Sequence, residues 1–336
     1  MTRKLLALYS AAHFWVDLSC AFLVFRTMFH SPDLALCLLL YNFCAFALQM
    51  PFGLLADRLD HNGIVAAVGC LSVALAYFVP GALPAAIIAG IGNALFHLGG
   101  GIDTLNVSER KAAWLGIFVS PGAVGLYLGT LWGKSGSISL WPAPAILLLL
   151  SIAILFLYRK TFGSFRSGNA PLDTSGNLKL LLPLFLVVVL RSYMGMNQSF
   201  AWKSTGSWAI ILTLSLALGK TAGGFLMDKT SPRFASSLSL GLAASLYLLS
   251  ALPLPGTLAV FFFNMTMPVT LWAVAKITPG AKGFTFGLLT FGLFLGFLPS
   301  WLGWPSLLTG PWSYALCSLL SLLLLYPALR KEWSPC

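Results

Sequence analysis

Long apolar runs, separated by short polar breaks, repeat from one end of the chain to the other. The runs are continuous: Ile146–Tyr158 and Leu316–Tyr326 show no in-out alternation. A membrane barrel would alternate residue by residue, so the pattern predicts helices. A span needs about 20 mostly apolar residues. On that measure the runs predict spans at 5–29, 34–56, 63–80, 83–105, 112–133 and 138–158, then 178–200, 206–227, 233–252, 256–276, 282–302 and 312–329. The fold class read from the pattern is an all-α membrane protein of about twelve helices.

Composition agrees. Hydrophobic residues make up 58% of the chain and charged residues 9%, where a soluble globule carries roughly a quarter charged. Lipid offers backbone groups no hydrogen-bond partner, which again restricts the spans to helices or a closed barrel.

The formal charge of +11 would suit nucleic acid, but no basic cluster lies beside a set of stacking aromatics. The cations read instead as topology signals. With the N-terminus inside, fifteen Lys and Arg fall on inner segments and only Arg26, Lys134 and Lys203 on outer ends, which places both termini in the cytoplasm. Trp132, Trp141, Trp202, Trp208, Trp301 and Trp312 fall near outer span ends, as an interfacial belt does. Five of the six cysteines lie inside apolar runs and none forms a CxxC; they read as small apolar fillers rather than disulfides or zinc ligands. Arg3 and Lys4 precede a long apolar run without a small-residue cleavage site, so that run is expected to stay as the first span.

The longest polar stretch, Arg159–Asn177, is expected to be a cytoplasmic linker between an N-terminal bundle, 1–158, and a C-terminal bundle, 178–336. The bundles repeat at a shift of 171 residues. Gly53-Leu54-Leu55-Ala56-Asp57-Arg58 maps onto Gly224-Phe225-Leu226-Met227-Asp228-Lys229, and the same shift takes Pro84 to Pro255, Asn93 to Asn264, Gly116 to Gly287 and Gly125 to Gly296. Two parallel six-helix halves suggest a pseudo-two-fold axis along the membrane normal with a substrate cavity between them.

The Gly-x-Leu-x-Asp-Arg block after span 2 resembles the signature loop of the major facilitator superfamily, with Asp60-His61-Asn62 where Gly-Arg-Lys is usual. Within it the chain is similar to the fosmidomycin-resistance-like efflux branch. His13 and Asp17 match its His-x-x-x-Asp in span 1. Gly90-Ile91-Gly92-Asn93-Ala94-Leu95-Phe96-His97 matches a Gly-x-Gly-x-x-x-Phe-His element in span 4, although Leu98-Gly99 replaces the Pro-Glu that commonly follows. Arg191 matches a basic residue in span 7. Pro279-Gly280-Ala281-Lys282-Gly283 matches the opening of span 11. The resemblance implies the major facilitator fold, a monomer, and a small-molecule substrate moved between leaflets.

Ionisable groups in hydrocarbon cost at least about 2.5 kcal/mol, so each is a functional candidate. His13 and Asp17 share a face of span 1, with Asp17 near mid-depth, and Arg191 lies at similar depth in span 7. Asp17 and Arg191 are expected to face each other or a substrate; a purely structural ion pair is the alternative. His97, also near mid-depth, suits a proton carrier or a single interhelical hydrogen bond. Asn93 and Asn264 serve substrate or tie helices, and Asn197 lines an outer vestibule with Gln198. Lys220 is expected to snorkel to the interface. Asp103, near the inner end of span 4, is expected to pair with Arg58 or Arg110. Asp57 and Asp228 can cap a helix N-terminus or meet a cation. By resemblance the two loop blocks, with Gly53, Asp57, Arg58, Gly224, Asp228 and Lys229, lock the inner side when the protein opens outward. Ser120-Pro121-Gly122-Ala123-Val124-Gly125 resembles a kink element seen chiefly in exporters.

No GxSxG, Walker loop, HExxH or paired-carboxylate site is present, so no enzyme, no cofactor and no metal is expected. The reading is a proton-coupled efflux antiporter in a bacterial inner membrane, with protons, a small molecule and the bilayer as partners. A proton-coupled importer and a transport-inactive sensor or scaffold are the alternatives.

Overall fold

The computed structural model describes residues 2–29, 31–109, 111–139, 141–161 and 178–329. Within them the chain forms helices α1 (Thr2–Met28), α2 (Leu34–Leu59), α3 (Asn62–Ala76), α4 (Ala82–Val107), α5 (Ala113–Ser135), α6 (Pro142–Thr161), α7 (Leu178–Asn197), α8 (Trp208–Lys229), α9 (Pro232–Tyr247), α10 (Pro253–Ile277), α11 (Lys282–Trp301) and α12 (Pro311–Ala328). Ten of these are long and apolar enough to cross a membrane, and α3 is a shorter apolar helix. Each of the twelve predicted spans overlaps one of these helices. The predicted linker from 162 onward, with Arg110, Arg166, Arg330 and Lys331, lies outside the described residues.

Helix ends follow local chemistry. Span 3 stops at Ala76 rather than 80, because the chain turns at Tyr77–Val79 ahead of Pro80-Gly81, with Gly81 at φ 93°. Span 10 starts three residues early, since Pro253 and Pro255 sit in the first turn, where an amide hydrogen is not needed. It is interrupted at Met265; Pro268 has no N–H for the Asn264 carbonyl, which accounts for the break. In α2, Phe43–Ala47 winds as a π-helix.

The helices gather into two compact units. One holds Met1–Val107, Pro121–Ala170 and Pro279–Phe291; the other holds Ser108–Ser120, Pro171–Thr278 and Gly292–Cys336. In the first unit α3 lies along α4, where Gly69 and Gly92 admit the neighbouring backbone without a Cβ between. Ser151 of α6 donates to the Ala67 carbonyl at 2.9 Å and Tyr77 to the Ser19 carbonyl at 2.8 Å. In the second unit Gly219 and Gly223 of α8 press on the backbone of α10 at Phe261 and Met265. Cys20, Cys37, Cys44, Cys70 and Cys317 are buried free thiols, as expected of fillers.

The tryptophan belt needs one correction. Trp141 and Trp312 are exposed at 66% and 79%, but Trp202 is only 8% exposed. It stacks on Phe200 and donates to the Ser250 carbonyl at 2.9 Å, so it is a packing residue of the second unit.

Candidate functional site

Residues four apart on a helix share a face, and two such pairs build the centre of the first unit. His13 and Asp17 come from α1, Asn93 and His97 from α4. His13 Nε2 lies 3.2 Å from Asp17 Oδ2, and His97 Nε2 lies 3.6 Å from Asp17 Oδ1. Asn93 Nδ2 donates to Asp17 Oδ1 at 3.1 Å. The two imidazoles meet through their Nε2 atoms at 2.8 Å, with ring planes at 87°. Phe96, fully buried, meets both rings edge-on.

The proton positions follow from the partners. His97 Nδ1 is 2.9 Å from the Asn93 carbonyl, which only accepts, so Nδ1 carries a hydrogen. In the neutral ring Nε2 is then a bare lone pair, and the proton between the rings belongs to His13. It also lies in reach of the Asp17 carboxylate. The backbone of α5 covers this cluster at Gly122, where any Cβ would strike His13 Nε2 and Asp17 Oδ2. That gives the glycine of the Ser-Pro-Gly element a concrete reason.

In the second unit Arg191 of α7 donates from one guanidinium nitrogen to the Thr266 and Thr270 hydroxyls of α10, at 2.9 and 3.2 Å. Each hydroxyl spends its own hydrogen on a backbone carbonyl, Phe263 and Thr266 respectively, and so presents lone pairs to the cation. Arg191 Nε is buried without a hydrogen bond. Within its own unit Asp17 is met by two imidazoles and an amide; within the other, hydroxyls hold Arg191.

The loop carboxylates do cap helices. Asp57, in the last turn of α2, accepts from the Gly283 and Phe284 amides at 2.7 and 2.8 Å, at the start of α11. Asp228, in the last turn of α8, accepts from the Ala112 and Ala113 amides at 2.6 and 3.1 Å, at the start of α5. These are donors a helix start leaves unsatisfied, met by the charge its dipole favours. The 171-residue shift that carries Asp57 to Asp228 also carries Ala112 and Ala113 to Gly283 and Phe284. Gly53 and Gly224 let the backbones close, against Gly283 and against Ala112–Ala113. Gly287 lies on Gln49–Met50 and Gly116 on Lys220–Thr221, by the same shift. Arg58 and Lys229 are exposed beside the carboxylates, and the staples' hydrogen bonds come from backbone amides. Asp60, at φ 50°, ends α2 where the signature loop has glycine.

Two expectations are corrected. Asp103 is fully buried and accepts from the Tyr9 hydroxyl of α1 at 2.7 Å, so its partner is a phenol within its own unit, not Arg58. Lys220 does not snorkel: its ammonium reaches the Val119 carbonyl at 3.4 Å, beside a Ser120–Thr221 hydroxyl pair at 2.6 Å. Asn264 donates to the Val260 carbonyl of its own helix at 2.9 Å. Asn197 bonds Ser300 of α11 at 2.8 Å, a helix tie. Sequence reasoning missed Tyr9, Thr266 and Thr270, hydroxyls ordinary in any apolar helix. It also missed the amides at 112, 113, 283 and 284, which the repeat shift alone was able to reveal.

Among the described residues His13, Asp17 and His97 also form a group able to hold a metal ion, with one ligand atom from each lying within 4.8 Å of the others.

No protein-family model matches the chain, and no curated protein matches it either. Solved structures do. The fucose:proton symporter of E. coli superposes with a TM-score of 0.66 at 13% identity, covering 98% of this chain and 99% of that one. The human organic anion transporter MFSD10 gives 0.68 at 16% identity, with 98% and 99% covered. A bacterial homologue of the iron transporter ferroportin gives 0.59 at 14%, with both chains covered in full. These likenesses establish the fold as that of major facilitator transporters, and ten helices among the described residues are long and apolar enough to cross a membrane.

Proposed function

We propose that the chain is a secondary transporter working by alternating access, in which the His13–Asp17–His97 cluster takes up and releases protons and Arg191 receives an anionic small molecule. One observation carries this reading: a carboxylate, two facing imidazoles and an amide converge at one point of a fold whose spans hold few other charged side chains, Asp103, Arg191 and Lys220 among them. Such groups are costly in lipid unless they serve a pathway. The groups around Asp17 are His13 and Cys20 on its own helix, Tyr41 of α2, and Asn93 and His97 of α4. A proton added among them changes the charge of the cluster, and a state that holds the proton better gains population.

Arg191 supports the anion. It donates to neutral hydroxyls and its Nε is unsatisfied, so it can make charge-assisted bonds to a carboxylate or phosphate. The two aspartate staples would open and re-form as access alternates. The fosmidomycin-resistance-like resemblance and the Ser-Pro-Gly element favour export from a bacterial inner membrane, with both termini inside.

A thermal-shift screen of metabolites and antibiotics on the purified protein supplies a ligand, since binding to the native state raises apparent stability. Flux of that ligand in proteoliposomes, under a pH gradient imposed in each direction, then reports coupling and direction. Asp17→Asn is expected to abolish the response to the gradient. Full retention of proton-driven flux in that variant removes Asp17 as the carrier, and flux driven only inward makes the protein an importer.

A further inference from the structure

We infer that His13, Asp17 and His97 form a binding site for one divalent transition-metal ion of the zinc and cobalt class. The argument rests on donor type and spacing. Two imidazole nitrogens and a carboxylate oxygen are the ligand set that borderline divalent ions favour, and it leaves a coordination position open. Ligands held about 2.0–2.1 Å from a tetrahedral zinc stand roughly 3.3 Å from one another. Here the Nε2 atoms are 2.8 Å apart, His13 Nε2 lies 3.2 Å from Asp17 Oδ2 and His97 Nε2 3.6 Å from Asp17 Oδ1, and a triangle of one ligand atom from each residue has every edge within 4.8 Å. An ion seats once the imidazoles part slightly and the carboxylate turns to offer it one oxygen or both.

The outer contacts are those of a prepared site. His97 Nδ1 donates to the Asn93 carbonyl, which fixes the tautomer with its Nε2 lone pair directed at the cluster, as metal-bound histidines are usually held. Asn93 Nδ2 orients the carboxylate. The ligands lie on two adjacent helices of one unit, so no distant element has to move to complete the triangle. The side chains of His13, His97 and Asp17 keep 7%, 13% and 18% exposure, enough for an ion to reach them. On coordination the hydrogen on His13 Nε2 is displaced, moving to Nδ1 of the neutral ring or to solvent from the imidazolium.

The inference goes beyond proton coupling and does not need it, because binding is read on the purified full chain without flux. In detergent, Zn2+ measured by calorimetry and Co2+ by its visible ligand-field absorption are expected to bind once per chain. His97→Gln and Asp17→Asn should each weaken binding at least about tenfold. His61→Ala, which alters a histidine outside the spans, should leave it unchanged. His97→Cys should keep Co2+ and add a thiolate-to-cobalt charge-transfer band; it serves in place of His97→Gln should that variant not fold. Folded protein that takes up no stoichiometric ion overturns the inference, and so does affinity undiminished in His97→Gln or lost in His61→Ala. A chain with proton-driven flux and no metal site sinks only this inference; a chain that binds metal without proton coupling sinks only the preceding proposal.

Discussion

The aspartate staples and the mid-span cluster treat the internal repeat in opposite ways. At the staples the 171-residue shift holds for both partners of every contact: Asp57 with Gly283 and Phe284, Asp228 with Ala112 and Ala113. In the cluster the shift fails. Leu184, Val188 and Pro268 stand where His13, Asp17 and His97 would map, and only Asn93 keeps its amide, as Asn264. The difference separates two demands. Joining a carboxylate to a helix start is a mechanical task, the same in either half. Chemistry needs to be done once, and a second buried carboxylate would cost stability without adding a pathway.

The largest effect comes from imposing symmetry on the centre. Val188→Asp puts a carboxylate at the place equivalent to Asp17, where the native side chain is 4% exposed and no imidazole waits at 184 or 268. The expected loss is about 2–4 kcal/mol, seen as a lower Tm in detergent, with no new pH response in flux. A stable variant with a second proton-coupled step would mean that the asymmetry is incidental.

Next come the staples. Asp57→Ala and Asp228→Ala each remove two charge-assisted hydrogen bonds from a helix start. Each is expected to cost about 1–3 kcal/mol, and the two losses should agree to within about 1 kcal/mol. Thermal unfolding of the two variants checks this. A large loss at one site and none at the other would break the equivalence drawn from the repeat.

The fold was legible in the sequence because its signals are strong and local. Continuous apolar runs gave the helices; prolines and glycines such as Pro80-Gly81 and Pro253 set their ends to within a few residues. The cluster was half legible. The spacing of His13 and Asp17 put both on one face and helical rise put His97 at similar depth, yet nothing in one dimension aims the His97 ring at His13 rather than elsewhere. Asp17 and Arg191 were set facing each other or a substrate from charge and equal depth alone, which says nothing of the groups each meets within its own unit. Burial of a cation by two threonine hydroxyls is invisible to that reasoning, since threonines occur throughout apolar helices as backbone binders. Asp103 failed for a related reason: charge alone pointed to arginine, while the fold offered the Tyr9 hydroxyl.

The smallest effect tests the one position at which cluster and repeat overlap. Asn93 and Asn264 are repeat mates, and both are almost fully buried, at 2% and 8% exposure. Asn93 donates to a carboxylate on another helix, whereas Asn264 donates to its own helix at Val260. Interhelical hydrogen bonds within membranes average about 0.6 kcal/mol and reach about 1.7; a bond to an ionised group belongs at the upper end. Asn93→Leu should therefore lower stability by about 1–2 kcal/mol and shift the pH at which flux responds, because the carboxylate loses a donor. Asn264→Leu should cost less than about 0.5 kcal/mol and leave the pH response in place. Equal losses in the two variants, with an unchanged pH profile in both, would show that the amide at 93 only packs, and would strip the cluster of its fourth member.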